Sequence, residues 1–336
     1  MKRLVCLVTV LVLLLSGCSG LPGRNKQYSK TYLNLFDTVT TVVGYAESEA
    51  AFDAAAQQIH DELQTYHRLF DIYNDYEGLN NLKTVNDQAG IAPVSVDGQL
   101  IALLKDCKSY YELTGGRVNI AMGGVLQLWH EARTSGLEDP EHAALPDKQA
   151  LLAAGEHVDP DAVVIDETAG TVYISDPLVQ LDVGAVAKGW AAQRVAEAAP
   201  QGLLISVGGN VCATGPKDED GTPWTVAVQD PDDGSGYLHT VQVSGGSVVT
   251  SGDYQRAYTV DGELYHHIID PDTLYPSRYW RSVTILCADS GLADALSTAL
   301  FLLPREAGQA LLERCEAEAM WLDRDGQLYY SPGFPQ

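Results

Sequence analysis

Two periodicities alternate along the chain. Residues 32–45, YLNLFDTVTTVVGY, are rich in Thr and Val and read as one strand. Directly after them Phe52, Ile59, Leu63, Tyr66 and Phe70 recur at helical spacing, with Ser48 placed to cap the helix. A second amphipathic run, GQLIALLKDCKSYYEL, is stopped by Gly115 and Gly116, and a third helix follows in GGVLQLWHEAR. Residues 137–161 are acidic, Ala-rich and interrupted by proline, a surface excursion with a short helix in DKQALLAAG. Hairpins are expected in AVVIDETAGTVYIS and GLLISVGGNVCATG, and in YQRAYTVDGELYHHIID around its Asp-Gly pair. A strand-to-helix turn is expected in VQLDVGAVAKGWAAQ, from a strand at Val179 to a helix near Ala187. The chain ends in strands, a buried-looking helix in GLADALSTALFLLP, and an exposed helix plus hairpin. Strands and helices mix without regular β-α-β alternation, which predicts an α+β fold of largely antiparallel sheets with packed helices. No linker divides the body into two domains.

The opening residues change the picture of where this body works. MKRLVCLVTVLVLLLSGCSG sets Lys2 and Arg3 before an apolar run from Leu4 to Leu15, then Ser16 and Gly17 before Cys18. The run is shorter than the roughly 20 residues of a spanning helix, and LSGC looks like a bacterial lipobox. Residues 1–17 are then an export signal, and Cys18 is the lipid-carrying first residue of the mature chain. The alternative is an ordinary signal or membrane anchor with an incidental cysteine. Residues 18–30 read as a polar tether and 31–336 as the folded domain, exported and held by lipid at the outer face of the cytoplasmic membrane or facing the periplasm. A formal charge of −24 argues against nucleic acid or anionic lipid as a binding partner. A phosphate-bearing ligand would need local cations. Cys107, Cys212, Cys287 and Cys315 are scattered without CxxC spacing, which argues against a zinc site and a dense disulfide framework.

Three places offer chemistry. Asp182, the turn through Gly184 and Lys188 make a cradle in which backbone N–H groups could face phosphate and a turn carbonyl a cation. The same residues also read as a helix cap, a turn glycine and a solvated lysine. Asp294 and Thr298 lie one helical turn apart, so a carboxylate and a hydroxyl share one face, hard oxygen ligands suited to Mg²⁺. Alone, such a pair is more often a capped or surface feature. His266 and His267 alternate on a strand, one toward the core and one away. The outward one could act as a general base, while Asp270 before Pro271 could simply start a turn. The glycines of SVGGN and the TSGDY turn admit either a closely approaching flat ligand or ordinary tight turns.

In order along the chain, FDT, GGRVNIAMGGVLQLW, LDVGAVAKGWAAQ, ISVGGN, TSGDY, HHIIDP and ADALSTAL resemble the ApbE family of flavin transferases. The resemblance implies a T-fold-like α+β domain that binds FAD and Mg²⁺. It implies transfer of the FMN half of FAD to a Thr or Ser hydroxyl of an acceptor protein through a phosphoester bond, with release of AMP. Acceptors would be subunits of membrane redox complexes or extracellular flavoproteins. By position, Mg²⁺ would be held by the Ala185 carbonyl, Asp294 and Thr298. Flavin and phosphate contacts would fall at Phe36, Tyr73, Arg117, Val118, Asn119, Asp182, Lys188 and Ile268. His267 would take the proton of the acceptor hydroxyl, and Lys188 would add positive charge. Three positions depart from the family pattern: Phe36-Asp37-Thr38 for the usual Met-Gly-Thr, Asn119 for a common Asp, and Leu274 for a frequent glycine. A flavin-binding lipoprotein without chemistry, an FAD pyrophosphatase using water as acceptor, and a transporter's substrate-binding lipoprotein are the alternatives.

Overall fold

The structure is a computed structural model that describes residues 26–233 and 236–335. The export signal and Cys18 lie outside the described residues. The first sheet element is a hairpin rather than a single strand: β1 (Lys26–Leu35) pairs antiparallel with β2 (Thr38–Ala46). Its tip is Phe36 and Asp37, both left-handed at φ 50° and 51°, as a two-residue turn between twisted strands requires. Because β1 begins at Lys26, residues 26–30 belong to the sheet and not to a tether. Leu274 is also left-handed, at φ 61°. Asp37 and Leu274 thus hold a backbone conformation that glycine adopts at least cost.

Helix α1 (Glu49–Phe70) starts at Ser48, whose hydroxyl accepts from the Ala51 N–H at 3.3 Å, as its sequence indicates. A short α2 (Leu82–Asp87), closed by an Asn81/Thr84 capping box, precedes β3 (Val94–Ser95), α3 (Gly98–Leu113), α4 (Gly123–Glu138) and α5 (Lys148–Gly155). The hairpin β4 (Val163–Asp166) and β5 (Thr171–Ile174) leads to α6 (Ala187–Ala198), then to β6 (Leu203–Val207) and β7 (Asn210–Ala213). Next come β8 (Trp224–Gln229), β9 (Tyr237–Val243), β10 (Gly246–Gly252), β11 (Ala257–Val260), β12 (Glu263–His266) and β13 (Trp280–Cys287). The chain closes with α7 (Ser290–Phe301), α8 (Arg305–Leu312), β14 (Ala317–Asp323) and β15 (Leu328–Tyr330).

Eight strands form one sheet in the order β1-β2-β6-β7-β10-β13-β14-β15, every neighbouring pair antiparallel. The α+β expectation therefore holds. Adjacent residues of one strand point to opposite faces, so Val42, Ile205, Val249 and Trp321 enter the main core with α1, α6 and α7. Their neighbours Val43, Leu204, Val248 and Met320 pack instead under the β8–β9 hairpin. A third, smaller core joins Trp129 of α4 and Leu151 of α5 to Tyr258 of β11. Among the described residues no helix is long and apolar enough to cross a membrane.

Helices α6 and α7 approach unusually closely, and one glycine permits it. A Cβ on Gly189 would lie 2.3 Å from the Ser290 carbonyl oxygen and 2.5 Å from Asp294 Cβ. This contact brings two segments a hundred residues apart in sequence to one place.

Candidate functional site

The stretch before α6 is not a strand. Gln180 makes a lone bridge to Met122, and the chain is pinned by loops and one side chain. The Asn86 amide holds Leu181 on both sides, accepting its N–H at 2.8 Å and donating to its carbonyl at 3.0 Å. Asp182 N–H then donates to the Ile120 carbonyl at 2.8 Å, and Gly123 N–H to the Gln180 carbonyl at 2.9 Å. Asp182 does not cap α6. Its Oδ1 accepts the Gly184 N–H at 2.7 Å, while the cap position, Val186, offers no side-chain bond. Burial pushes the Asp182 carboxyl above its ordinary value, opposed by the Gly184 N–H and by the charges of Arg256, His130 and Lys188.

Asp294 sits on α7 with only 3% of its surface exposed. Its Oδ2 accepts the Gly189 N–H at 2.8 Å and lies 3.7 Å from the Lys188 ammonium. Lys188 Nζ also donates to the Gly184 carbonyl at 3.3 Å. Burial raises the Asp294 carboxyl, and Lys188 pulls it back. The buried Asn210 amide stands near enough to steady the same carboxylate, though its Nδ2 has no partner at normal hydrogen-bond distance. Gly189 N–H would ordinarily bond the carbonyl four residues back. Because it bonds Asp294 instead, the Ala185 carbonyl receives no backbone N–H among the described residues. Thr298, half-buried one turn after Asp294, has no hydrogen bond from its hydroxyl among them either. A spare carbonyl, a buried carboxylate and an unbonded hydroxyl are the donor set a hard cation such as Mg²⁺ takes, so these residues fit that ion.

The two histidines separate cleanly. His266 ends β12 inside the protein: Nε2 donates to the Ser277 carbonyl at 2.7 Å, Nδ1 accepts the Ile268 N–H at 3.2 Å, and the ring stands edge-on to Phe301. Burial pushes it down to about 4, so it is neutral and structural. His267 has no such partners. Its Nδ1 is buried and unbonded, and its Nε2 makes no hydrogen bond among the described residues. Burial, and then the charges of Arg256, His266, Lys188 and Arg133, hold this imidazole well below the ordinary histidine value. It is therefore an unprotonated base at neutral pH.

Other expected site residues divide. Tyr73, 56% exposed, stands 5.6 Å from the His130 ring; burial and then the Asp182 charge raise its hydroxyl above the ordinary value. Asp37 acts on Tyr73 too, which places the β1–β2 tip on this side. Phe36 at that tip donates its N–H to His67 Nδ1 at 3.2 Å and meets the His67 ring edge-on. Arg117, Val118 and Asn119 have partners of their own. Arg117 pairs with Asp270 at 3.2 Å and Asp272 at 2.6 Å, Val118 is core, and Asn119 bonds the Val158 carbonyl and the Ala121 N–H. Arg117 and Asn119 line a cleft of about 420 Å³ with Tyr111, Glu156 and Asp159. The Ile268 side chain belongs to the main core. Asp253 of TSGDY is buried against Arg281 at 3.1 Å, a structural pair, and Gly208 and Gly209 form a tight β6–β7 turn packed on Thr38.

Sequence reasoning missed Gly189, His130, Arg133 and Arg256. Arg133 Nη2 lies 2.9 Å from His130 Nδ1, and both stand on α4 at a spacing that the LWHEAR segment displays.

A buried carboxylate under a lysine, with an uncharged histidine that feels the lysine's charge, suits a site that receives an anionic ligand. The chain belongs to the ApbE family, whose sequence model its residues 36–321 match. It is 34% identical to the FAD:protein FMN transferase of Treponema pallidum (strain Nichols), over 97% of this chain and 93% of that protein. It is 32% identical to a FAD:protein FMN transferase of Klebsiella pneumoniae (strain 342), over 81% and 86%. The crystal structure of the ApbE protein of Thermotoga maritima superposes with a TM-score of 0.81 at 28% identity, covering 92% of this chain and 98% of that one.

Proposed function

We propose that this protein transfers the FMN half of FAD to a Thr or Ser hydroxyl of an acceptor protein and releases AMP. The observation that carries the reading is the buried Asp294 carboxylate, held by the Gly189 N–H and Lys188, together with the unbonded Ala185 carbonyl and Thr298 hydroxyl, and an imidazole at His267 that feels the Lys188 charge. Asp294, Thr298 and the Ala185 carbonyl would hold Mg²⁺, which when bound neutralises the diphosphate and stabilises the departing AMP. Lys188 adds fixed positive charge where phosphate oxygens gather. His267 takes the acceptor's hydroxyl proton at Nε2 as the new O–P bond forms and the P–O–P bridge breaks. The rest of the work is orientation: Asp182, held by Gly184 and Ile120, and Tyr73 above it shape where the flavin end lies. The acceptor is a flavoprotein of the exported compartment, such as a subunit of a membrane redox complex. The LSGC segment supports export and a lipid anchor at Cys18, which would tether the enzyme beside such acceptors.

The test is incubation of the protein with FAD, MgCl₂ and a candidate exported acceptor flavoprotein, with and without EDTA. Flavin fluorescence that stays on the denatured acceptor band, appears with AMP and is lost with EDTA is the expected outcome. Free FMN and AMP beside an unlabelled acceptor would turn the reading into hydrolysis, and FAD left intact with every acceptor would end it.

A further inference from the structure

Two guanidinium groups, those of Arg133 and Arg256, have no carboxylate partner among the described residues. Arg133 stands on α4 one turn before Gly136. Gly136 packs so closely on β11 that a Cβ there would lie 2.7 Å from Tyr258 Cδ2. Tyr258 is the second residue of β11, and Arg256 immediately precedes that strand. The Gly136–Tyr258 contact therefore sets the helical turn bearing Arg133 beside the strand end bearing Arg256.

The two cations repel. Burial and then Arg256 hold the Arg133 guanidinium below its ordinary value. Arg133 bonds only the His130 ring, and among the described residues neither arginine makes an ion pair. In a chain of formal charge −24 carboxylates are plentiful, so a pair of adjacent arginines left without one is a specific arrangement. Arg256 also acts on Asp182, and both arginines act on His267. The charges of the cluster therefore reach Asp182 and His267, and His130, 2.9 Å from Arg133, joins it to the Tyr73 ring.

We propose that Arg133 and Arg256 form a clamp that, with Lys188, binds the diphosphate of the dinucleotide substrate; this rests on the FAD reading above. Guanidinium forks suit phosphate oxygens, and the incoming anion supplies the counter-charge that the fold withholds.

The clamp is tested by fluorescence titration of the full-length protein with FAD and riboflavin and by ADP competition, on wild type and on Arg133→Ala, Arg256→Ala and Arg256→Lys. Loss of one charge-assisted contact should weaken FAD and ADP by roughly tenfold or more, while riboflavin, which has no phosphate, shifts less than about twofold. Arg256→Lys should recover part of the loss. Equal weakening of FAD and riboflavin, or unchanged FAD and ADP affinity in both alanine variants, overturns the clamp. If wild type transfers FMN while both variants bind FAD normally, the clamp alone falls. If wild type binds no FAD, the function and the clamp fall together.

Discussion

The candidate site has two parts, a floor and a rim, and they are built of different materials. The floor is two buried helices, α6 and α7, locked at Gly189, with Asp294 held between the Gly189 N–H and Lys188. The rim is a hairpin tip at Phe36 and Asp37, an exposed tyrosine on a loop, and an exposed arginine before a short strand. A metal ion and a breaking phosphate bond tolerate little misplacement, so the groups that meet them stand on packed helices. Groups that grip the remainder of a ligand can stand on mobile turns, because they must admit it and release it. Substitutions in the floor should therefore cost chemistry, and substitutions in the rim should cost affinity.

The sharpest test is Asp294→Asn. The amide oxygen still accepts the Gly189 N–H, so the helix contact survives while the charge is lost. Transfer should fall by about a thousandfold in a metal-limited assay, with the melting temperature almost unchanged. Activity within a few-fold of wild type would mean that the floor does not hold the ion.

His267→Ala comes next, with transfer expected to fall about a hundredfold and stability barely moved. Its neighbour should behave in the opposite way. His266 titrates at about 4 in the folded protein against about 6.5 unfolded, so between those values the unfolded chain holds a proton that the native state does not. Its contribution to stability is complete above pH 6.5 and drains away as pH falls toward 4, up to about 3 kcal/mol at roughly 1.4 kcal/mol per pH unit. Urea unfolding from pH 7.5 to 4 should show this decline in wild type and a flatter profile in His266→Gln, with FMN transfer at neutral pH retained in that variant.

How far these roles can be read from sequence depends on whether their causes are local. The Ser48 cap, the Asp261-Gly262 turn and the start of α6 at Ala187 are set by neighbouring residues and are legible. So is the Asp294–Thr298 pair, which needs only helical periodicity. The hairpin tip at Phe36-Asp37 is not, because a phenylalanine at its first position rarely takes left-handed backbone and hides the Asp37 turn signal inside an apolar run. Alternation along β12 says that one histidine is buried but not which; the Ser277 carbonyl, eleven residues on, decides. Residues 179–182 carry a strand's apolar pattern, yet their partners are the Asn86 amide and a loop. The helical turn bearing Arg133 and the strand end bearing Arg256 come together because Gly136 fits on Tyr258, a tertiary fact with no periodic signature.

Gly189 is where floor and core are the same thing. Alanine there must displace the Ser290 carbonyl or Asp294 Cβ, both backbone-bound on a packed helix. Overpacking of this kind typically costs about 1–3 kcal/mol. Thermal denaturation should register that loss, and transfer should fall with it as Lys188 and Asp294 separate. A Gly189→Ala protein that melts and turns over like wild type would show that the close helix contact is not what fixes the site.

The smallest effect belongs to the rim and closes the comparison. Tyr73 is half exposed and touches the site through a ring contact with His130, so Tyr73→Ala removes a surface against which a flat ligand can lie without unsettling anything beneath. An aromatic contact is worth about 1 kcal/mol, or roughly fivefold in affinity. The apparent KM for FAD should rise by that factor while kcat at saturation stays within about twofold. Were kcat to collapse with KM unchanged, Tyr73 would be acting on the chemical step, and the division between a floor that reacts and a rim that binds would have to be redrawn.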